Sequence, residues 1–350
     1  MRHLACVLFL VWSFPAAAQE LSEAFGPAAA EPLVIRSTTD LTVMRPVLES
    51  YLAGKPNLRI EYEQWGSNDL YELTATECAG GIADADLVIS SAVDQMVRLV
   101  NDGCAATYRS DQTASLPSEF RWRDQLWGIS REPAVMVYNA ELVPAMDVPR
   151  SRFDLLDLLR PETSRYRGRL ATYDIETSGL GYLLAFADSL EATTFGGLME
   201  SFGRSGAVAT CCSAEIIDAV IEGKYLIAYN ILGSYALARA EKDPRLGIIA
   251  PSDYTLILSR GAMIPRDAAA KALAADFLDY LLSRAGRKAL EKALLLVRLD
   301  DDDGSPLELP EAAQSNERLI PLSPTLLIAL DRQKRYIFRE RWRAAFPNEE

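Results

Sequence analysis

Short apolar runs alternate along the chain with longer segments whose apolar residues recur every three or four positions. The first pattern is typical of buried strands and the second of amphipathic helices. Strands are predicted at 32–37, 57–65 and 85–91, and helices at 38–56, 67–81 and 92–103. Regular alternation of this kind predicts an α/β layer with parallel strands.

The alternation returns after a long extended run, WGISREPAVMVYNAEL, at 127–142. The elements predicted next are helix 151–160, strand 167–175, a helix ending at 190, a glycine-rich break at 196–197, helix 211–224 and strand 225–230. A second extended run at 245–265 leads to a helix at 268–293, a strand-like segment at 295–299 and a helical tail at 324–346. Two α/β units joined by two extended crossings predict two lobes with a cleft between them.

Polar and mostly uncharged residues follow five of the predicted strands. In open parallel sheets ligands bind beyond the carboxyl ends of the strands, where helices begin. Ser, Thr and Asn are also favoured helix caps, so any single turn can be purely structural. The turns contain Ser37, Thr38, Thr39 and Asp40; Gln64, Trp65, Gly66, Ser67 and Asn68; Ser90 and Ser91; Thr177, Ser178 and Gly179; and Tyr229 and Asn230. Five such turns on both units predict a shared polar pocket.

The first twenty residues, MRHLACVLFLVWSFPAAAQE, have the pattern of a cleaved secretory signal. An apolar run from Leu4 to Phe14 precedes Ala16-x-Ala18, and this run is too short to span a membrane. Cys6 lies at the start of the run and not after a cleavage motif, so no lipid anchor is expected. We expect a signal peptide at 1–18 and a soluble exported protein that begins near Gln19.

Composition and charge restrict the classes of molecule that the protein can bind. The chain has 350 residues, 49% of them hydrophobic and 24% charged, which is ordinary globular usage with room for two domains. Its formal net charge of −13 argues against nucleic acid and anionic lipid as partners. It does not exclude an anion bound inside a cleft by local Arg and N–H groups.

Catalysis is not expected. The single histidine lies in the predicted signal, which excludes a Ser-His-Asp triad, and neither Lys224 nor Lys242 lies near a candidate serine. Asp174 and Glu176 could serve a hydrolase as paired carboxylates, but both lie at a strand end among caps. Without histidine, and with no zinc-type spacing of cysteines, no metal site and no cofactor are predicted.

Four cysteines remain after the predicted signal, and an even count in an oxidising compartment favours disulfides. Cys78 and Cys104 are predicted to pair. The adjacent Cys211 and Cys212 leave three alternatives open, which are a ring disulfide, two buried thiols or a soft-metal site such as one for arsenite.

Two further segments suggest functions that we do not favour. The acidic turn at 300–305 lacks the alternating Asp spacing and distant Glu of a calcium loop, so a solvated turn is expected. The basic, aromatic-containing helix at 331–346 could dock a partner or a membrane, but its Tyr336, Ile337, Trp342 and Phe346 are expected to pack on a lobe.

The order of these motifs resembles the periplasmic solute-binding proteins of ABC transporters, in the branch with iron(III)-, hexose-phosphate- and phosphoglycerate-binding members. The resemblance covers about residues 31 to 300 and rests on LVIRSTTD, ADLVISSAVDQM, WGISREPAVMVYN, TSGLGYLL and IAYNILGSYALA. It implies an α/β, two-lobed periplasmic-binding-protein architecture whose lobes trap a ligand by hinge closure. The implied division is lobe I at 31–132 and 265–320, hinge crossings at 133–138 and 254–264, lobe II at 139–253 and a helical tail at 321–350.

The resemblance also implies the ligand contacts. They are Ser37, Thr38, Thr39, Ser90, Ser91, Arg131, Thr177, Ser178, Gly179, Tyr229 and Asn230. Iron-binding members use an adjacent tyrosine pair, whereas here Asn230 follows Tyr229, which argues against a hard metal. The expected ligand is a small anionic solute, a phosphorylated or carboxylated metabolite or an oxyanion, with Arg131 as its charge partner.

The implied partner is the membrane permease of an ABC transporter, or alternatively the periplasmic domain of a sensor kinase that reads the bound solute. We expect a monomeric periplasmic protein.

Overall fold

The computed structural model describes residues 19–161, 163–191, 194–297, 307–308 and 316–346. The predicted signal at 1–18 and the acidic turn at 300–305 lie outside these residues. None of the helices in the described ranges is long and apolar enough to cross a membrane.

Fifteen strands and twelve α-helices lie within the described ranges. The strands are β1 (Gln19–Phe25), β2 (Pro32–Ser37), β3 (Arg59–Trp65), β4 (Leu87–Ser90), β5 (Arg121–Trp122), β6 (Leu126–Gly128), β7 (Glu132–Asn139), β8 (Leu170–Tyr173), β9 (Val208–Thr210), β10 (Ile227–Leu232), β11 (Leu246–Ile249), β12 (Thr255–Leu258), β13 (Gly261–Met263), β14 (Leu307–Glu308) and β15 (Glu317–Leu319). The helices are α1 (Leu41–Leu52), α2 (Ser67–Gly80), α3 (Val93–Asn101), α4 (Asp111–Ser115), α5 (Arg152–Leu159), α6 (Gly179–Glu191), α7 (Phe195–Ser205), α8 (Ser213–Ile221), α9 (Gly233–Ala240), α10 (Lys271–Leu282), α11 (Arg284–Lys292) and α12 (Arg332–Ala345).

The first sheet forms the first lobe and has the order β1-β3-β2-β4-β13-β6-β5. The inner strand β2 pairs in parallel with β3 and β4, as the strand-helix alternation predicts. The edge strand β1 pairs antiparallel with β3, and β13 pairs antiparallel with β4 and β6. Leu33 and Ile35 of β2 belong to the same buried cluster as Phe277 of α10, so this helix covers the first sheet.

The second sheet forms the second lobe and has the order β14-β11-β7-β10-β8-β9; in addition, β12 pairs with β7 and β15 pairs with β12. Strand β7 is buried along its whole length and pairs antiparallel with β10, β11 and β12. Strands β8, β9 and β10 pair in parallel. Trp342 of α12 packs in a cluster with Ile175, Tyr182 and Phe186, which fastens the last helix to this lobe.

Three segments cross side by side between the lobes, whereas the sequence predicts two. The chain crosses at 129–131, returns at 259–260 and crosses again at 294–297. The Ile129 N–H donates to the Arg260 carbonyl at 3.0 Å, and Arg131 exchanges backbone hydrogen bonds of 2.8 Å with Leu295 and Val297.

The division between the lobes differs from the predicted one in two places. The predicted crossing 133–138 lies within β7, and the predicted crossing 254–264 contains β12 of one sheet and β13 of the other. Strands β14 and β15, predicted within lobe I, pair in parallel with β11 and β12 of the second sheet. They pair with strand edges of the second sheet that would otherwise be open. The pattern of short apolar runs in the sequence does not predict this pairing.

Two helix predictions also need correction. The predicted break at 196–197 lies inside α7, where burial of Leu198 and Phe202 offsets the helix cost of two glycines, about 1 kcal/mol each. The single helix predicted at 268–293 is divided at Ser283, whose side chain caps α11 by accepting from the Gly286 N–H at 3.2 Å.

The predicted disulfide between Cys78 and Cys104 is present, with their Cα atoms 5.4 Å apart. It joins the end of α2 to the segment after α3. Cys211 and Cys212 are also linked to each other, which is the first of the three alternatives left open by the sequence.

Removing the Cys78–Cys104 disulfide should lower the free energy of unfolding by about 3 kcal/mol, because the bridge closes a loop across 26 positions and restricts the unfolded chain. Urea denaturation of the Cys78→Ser/Cys104→Ser variant measures this loss. The matched control is Cys211→Ser/Cys212→Ser, which opens no chain loop and should cost less than about 1 kcal/mol. Equal losses in the two variants would contradict the loop-entropy account.

Candidate functional site

A cleft of about 320 Å³ lies between the two lobes. It is bounded by the ends of strands and the starts of helices from both sheets, where a ligand site was expected. Its lining residues are Glu20, Thr38, Asp40, Gln64, Trp65, Gly66, Ser67, Ser91, Tyr173, Thr177, Ser178, Leu180, Cys211, Cys212, Ser213, Ala214, Glu215, Leu232, Tyr235 and Arg260.

The first-lobe wall consists of hydroxyl and amide groups beside one indole. The Ser91 N–H donates to Thr38 Oγ1 at 3.0 Å, and the two hydroxyls lie 3.2 Å apart. The Gln64 side chain accepts from the Leu41 N–H at the start of α1. Trp65 is buried and contributes an apolar surface. This wall therefore offers hydrogen bonds beside an aromatic face.

The second-lobe wall is formed by the starts of α6 and α8. Ser178 caps α6 by accepting from the Gly181 N–H at 3.0 Å. The disulfide-linked Cys212 precedes α8 with a φ of +66°, a left-handed conformation that is uncommon for a residue other than glycine. Ser213 bonds the Tyr173 hydroxyl at 2.6 Å, and burial raises the pKa of Tyr173 to about 12, so that hydroxyl stays neutral.

A fully buried ion pair lies at the floor of the cleft, where the chain crosses between lobes. Arg260 donates to both carboxylate oxygens of Glu132, at 2.9 and 3.1 Å, and both side chains are buried. The hydroxyls of Ser130 and Ser234 donate to the same carboxylate. Burial alone would lower the pKa of Arg260, but the negative charge of Glu132 raises it. Arg260 therefore stays charged and is neutralised by its partner.

The remaining charges of the cleft are negative. Glu20 and Glu215 are exposed, and Asp40 is half-buried. Burial raises the pKa of Asp40, while the Tyr235 hydroxyl and the charge of Arg260 oppose that shift. Because Arg260 is matched by Glu132, these carboxylates leave the cleft with a net negative charge.

The lobes touch each other along one side of the cleft. The Asn68 side chain donates to the carbonyls of Glu176 and Thr177 at 3.2 and 3.0 Å. The Gly179 N–H donates to Ser67 Oγ at 2.9 Å. On another side, the Tyr235 hydroxyl accepts from the Asp40 N–H and donates to its carboxylate, both at 3.1 Å. The structure is therefore a conformation in which the two walls are in contact.

Gly179 allows this approach. A Cβ atom built at Gly179 would lie 2.6 Å from Gln95 Nε2 on α3 of the other lobe. Gln95 is buried and donates to Asn68 Oδ1 at 2.8 Å, so it has little room to move. The glycine of the Thr-Ser-Gly turn is thus explained by close packing between lobes.

The predicted site residues fall into three groups according to their position relative to the cleft surface. Four of them line the cleft: Thr38, Ser91, Thr177 and Ser178. Four lie directly behind its surface, in turn and contact positions: Ser37, Thr39, Ser90 and Gly179. Three lie elsewhere: Arg131, Tyr229 and Asn230.

Arg131 is outside the cleft lining because its backbone belongs to a crossing segment and its side chain points the other way. Its guanidinium bonds the Glu317 carboxylate and the Val297 carbonyl. The cation that lines the cleft is Arg260, on the neighbouring crossing segment.

Tyr229 and Asn230 belong to a buried network within the second lobe. The Tyr229 hydroxyl donates to Asp188 and accepts from Arg152, and the Asn230 amide donates to Asp188 at 3.3 Å. Arg152 and Asp188 are completely buried. The side-chain polar atoms of Tyr229 and Asn230, which were predicted from the sequence to bind ligand, therefore bond within this network.

Several cleft residues were missed by sequence reasoning. Tyr235 lies in α9, for which the sequence pattern predicts no element, and Arg260 lies in a segment interpreted as an extended crossing. Only the three-dimensional path of the chain brings both residues to the cleft. Glu20 reaches it through β1, which was not predicted. The Cys211–Cys212 pair at the start of the predicted helix 211–224 was the one available signal for the α8 wall.

Two α/β lobes that face each other across a polar cleft define a two-lobed ligand-binding protein. Residues 34–293 match the bacterial extracellular solute-binding protein family, and the chain belongs to that family. Because it is a family of binding proteins, the match confirms the non-enzymatic class predicted from the sequence. A comparison with curated protein sequences finds no significant match.

Solved structures support the family and the fold. The substrate-binding protein of an ABC transporter from Agrobacterium tumefaciens is 30% identical, with 95% of this chain and 100% of that chain covered and a TM-score of 0.85. Iron-bound HitA from Pseudomonas aeruginosa is 17% identical, with 89% and 99% covered and a TM-score of 0.69. AfuA from Actinobacillus pleuropneumoniae, solved with fructose-6-phosphate, is 15% identical, with 91% and 100% covered and a TM-score of 0.69.

The described residues contain no group of three or more His, Cys, Asp or Glu side chains that could hold a metal ion.

Glu132→Gln should destabilise the protein by about 3–5 kcal/mol, because it leaves the buried Arg260 charge without compensation. Chemical denaturation measures the loss. The neighbouring variant Arg131→Ala is the control, since it removes a half-exposed ion pair worth at most about 1 kcal/mol. A loss for Glu132→Gln as small as that of the control would show that Arg260 finds other compensation.

Proposed function

We propose that this protein is exported through its N-terminal signal, captures one small polar solute in the interlobe cleft and delivers it to the membrane permease of an ABC transporter. The observation that carries the proposal is a polar cleft lined from both lobes in a member of the extracellular solute-binding family. Its similarity to the Agrobacterium substrate-binding protein supports the transporter partner.

Capture proceeds by hinge closure. The cleft walls belong to different sheets, and the three crossing segments are short enough to bend without repacking either lobe. Asn68, Gly179 and Tyr235 make the contacts between lobes, so the closed state is stabilised at the rim of the cleft. A solute that bonds both walls adds to these contacts and shifts the population toward closure.

The charges of the cleft bear on the solute class. The sequence predicts an anion, and the one cation available to it in the described cleft lining is Arg260, which Glu132 already neutralises. Asp40, Glu20 and Glu215 would repel an anion and attract an ammonium or another donor group. We therefore favour a neutral or cationic polar solute with an apolar face for Trp65, over an anion.

Presentation of the solute to a sensor kinase is the alternative role. It uses the same cleft and the same closed surface, and no observation favours it over delivery to a permease.

A thermal-shift panel should give its largest increases in melting temperature with amine-bearing or neutral polar solutes, because a ligand bound only by the folded protein stabilises it. A shift is assigned to the cleft when Thr38→Ala abolishes it. For a cationic hit, Asp40→Asn should weaken binding about tenfold, whereas the exposed control Asp157→Asn should not. Shifts given by anions alone and abolished by Thr38→Ala would reverse the charge assignment and leave solute capture standing.

Gly179→Ala should hinder closure, because the added Cβ would meet Gln95 across the lobe boundary. Small-angle scattering should show a larger radius of gyration than for the unmodified protein, and affinity for a panel hit should fall. The double variant Gly179→Ala/Gln95→Ala removes the obstruction and should restore compactness. An unchanged scattering profile for Gly179→Ala would contradict the proposed closing contact.

A further inference from the structure

A second cavity, of about 470 Å³, lies between the first lobe and the C-terminal segment. One side is formed by Tyr71 of α2 and by Gln95 and Arg98 of α3. The other side is formed by the 3-10 turn Pro324–Ile328 and the start of α12, which contributes Arg332 and Arg335. This C-terminal segment lies beyond residues 34–293, which match the family.

The cavity holds more positive charge than its neighbours balance. Arg98 pairs with Asp102, and neither Arg332 nor Arg335 forms an ion pair within the described chain. Asp331 also lines the cavity, where its carboxylate caps α12 by accepting from the Lys334 N–H at 3.0 Å, so three guanidinium groups face one lining carboxylate and Asp102. Further along α12, Arg339 and Arg343 both pair with Glu176. A local excess of guanidinium groups is unusual in a protein with a net charge of −13.

Two buried polar atoms at this cavity also lack partners. Arg335 Nε is buried with no acceptor in the described residues, although its guanidinium lies over the Tyr182 ring at 5.4 Å. Gln95 is only 4% exposed, and its Oε1 atom has no donor in that part of the chain. A ligand that satisfies both must accept from a guanidinium and donate to an amide oxygen.

We propose that this cavity binds a hydrogen phosphate group, as inorganic phosphate or as the monoanion of a small phosphate monoester. Its unprotonated oxygens accept from Arg332 and Arg335, and its P–OH group donates to Gln95. The ligand would thereby join the C-terminal segment, held on the second lobe, to α3 of the first lobe. Sulfate at neutral pH has the same shape but no hydroxyl donor, so it should bind less tightly.

The buried Asp94 of α3 should make the binding depend on pH. Its exposed fraction is 1%, and neither carboxylate oxygen has a hydrogen-bond partner in the described residues. Burial raises the pKa of Asp94 to about 7, against the opposing effects of backbone amides and of Arg335. The ionisable groups that face it are Arg335 of α12, Tyr71 of α2 and Tyr182 of α6.

The sign of this dependence follows from the charge of Asp94. Above pH 7 its carboxylate competes for Arg335 and repels the ligand, and below pH 7 it becomes neutral and both effects disappear. When the pH is lowered from 8 to 6, the change in phosphate affinity should therefore be more favourable in the unmodified protein than in Asp94→Asn. In Asp94→Asn the pH dependence that remains should be that of phosphate's own protonation.

Isothermal titration with inorganic phosphate at constant ionic strength tests the proposal on the full mature protein. Arg332→Glu should weaken binding by at least about tenfold, because an attractive charge becomes repulsive. The matched control is Arg341→Glu, an exposed arginine of the same helix that does not line the cavity. The isosteric Gln95→Glu should also weaken binding, and circular dichroism checks that each variant is folded.

Further titrations identify the ligand and distinguish binding at this cavity from binding in the interlobe cleft. A small phosphate monoester and sulfate are titrated in parallel at pH 6, where about half of the monoester still carries its P–OH group. Preference for either phosphate form over sulfate supports the proposal. Thr38→Ala in the cleft should leave phosphate binding unchanged. The proposal is overturned if the unmodified protein does not bind phosphate, if Arg332→Glu and Arg341→Glu bind it equally, or if Thr38→Ala abolishes the binding.

Discussion

The buried ion pair between Arg260 and Glu132 is the interaction on which both the junction of the lobes and the floor of the cleft depend. Glu132 begins β7, and Arg260 lies between β12 and β13, so the pair ties two crossing segments together. Buried ion pairs stabilise little unless their remaining hydrogen-bonding capacity is filled, and here Ser130 and Ser234 fill it. Because this ion pair is neutral overall, the electrostatic potential of the cleft is set by the acidic residues of its lining.

The polar turns at the strand ends serve two purposes that their residue types do not distinguish. Ser178 caps α6, and Ser90 bonds the Ala92 N–H, so their oxygens are already used within their own lobe. Thr38 accepts from the Ser91 N–H and Thr177 donates to Asp174, and both lie at the cleft surface together with Ser178. The same short polar side chains can therefore hold a turn in shape and face the solute.

The sequence was sufficient for elements whose pattern is local. Strand β2 has the predicted bounds, and the starts of α2 and α6 lie within the predicted turns, because burial periodicity and helix caps are set by neighbouring residues. The charge of the cleft was not accessible in this way. Arg131 and Arg260 occur in similar extended runs, and only the hydrogen bonds between crossing segments decide which guanidinium reaches the cleft.

The third crossing segment has a mechanical consequence. Two strands between rigid bodies can twist about each other as well as bend, whereas a third strand bonded alongside them resists torsion. Arg131 is hydrogen-bonded to Leu295 and Val297, and Ile129 to Arg260, so the three segments form a narrow ribbon. A ribbon is compliant mainly perpendicular to its own plane. The lobes should therefore move about one axis. Each time the cleft closes again, the two walls should meet in the same relative position.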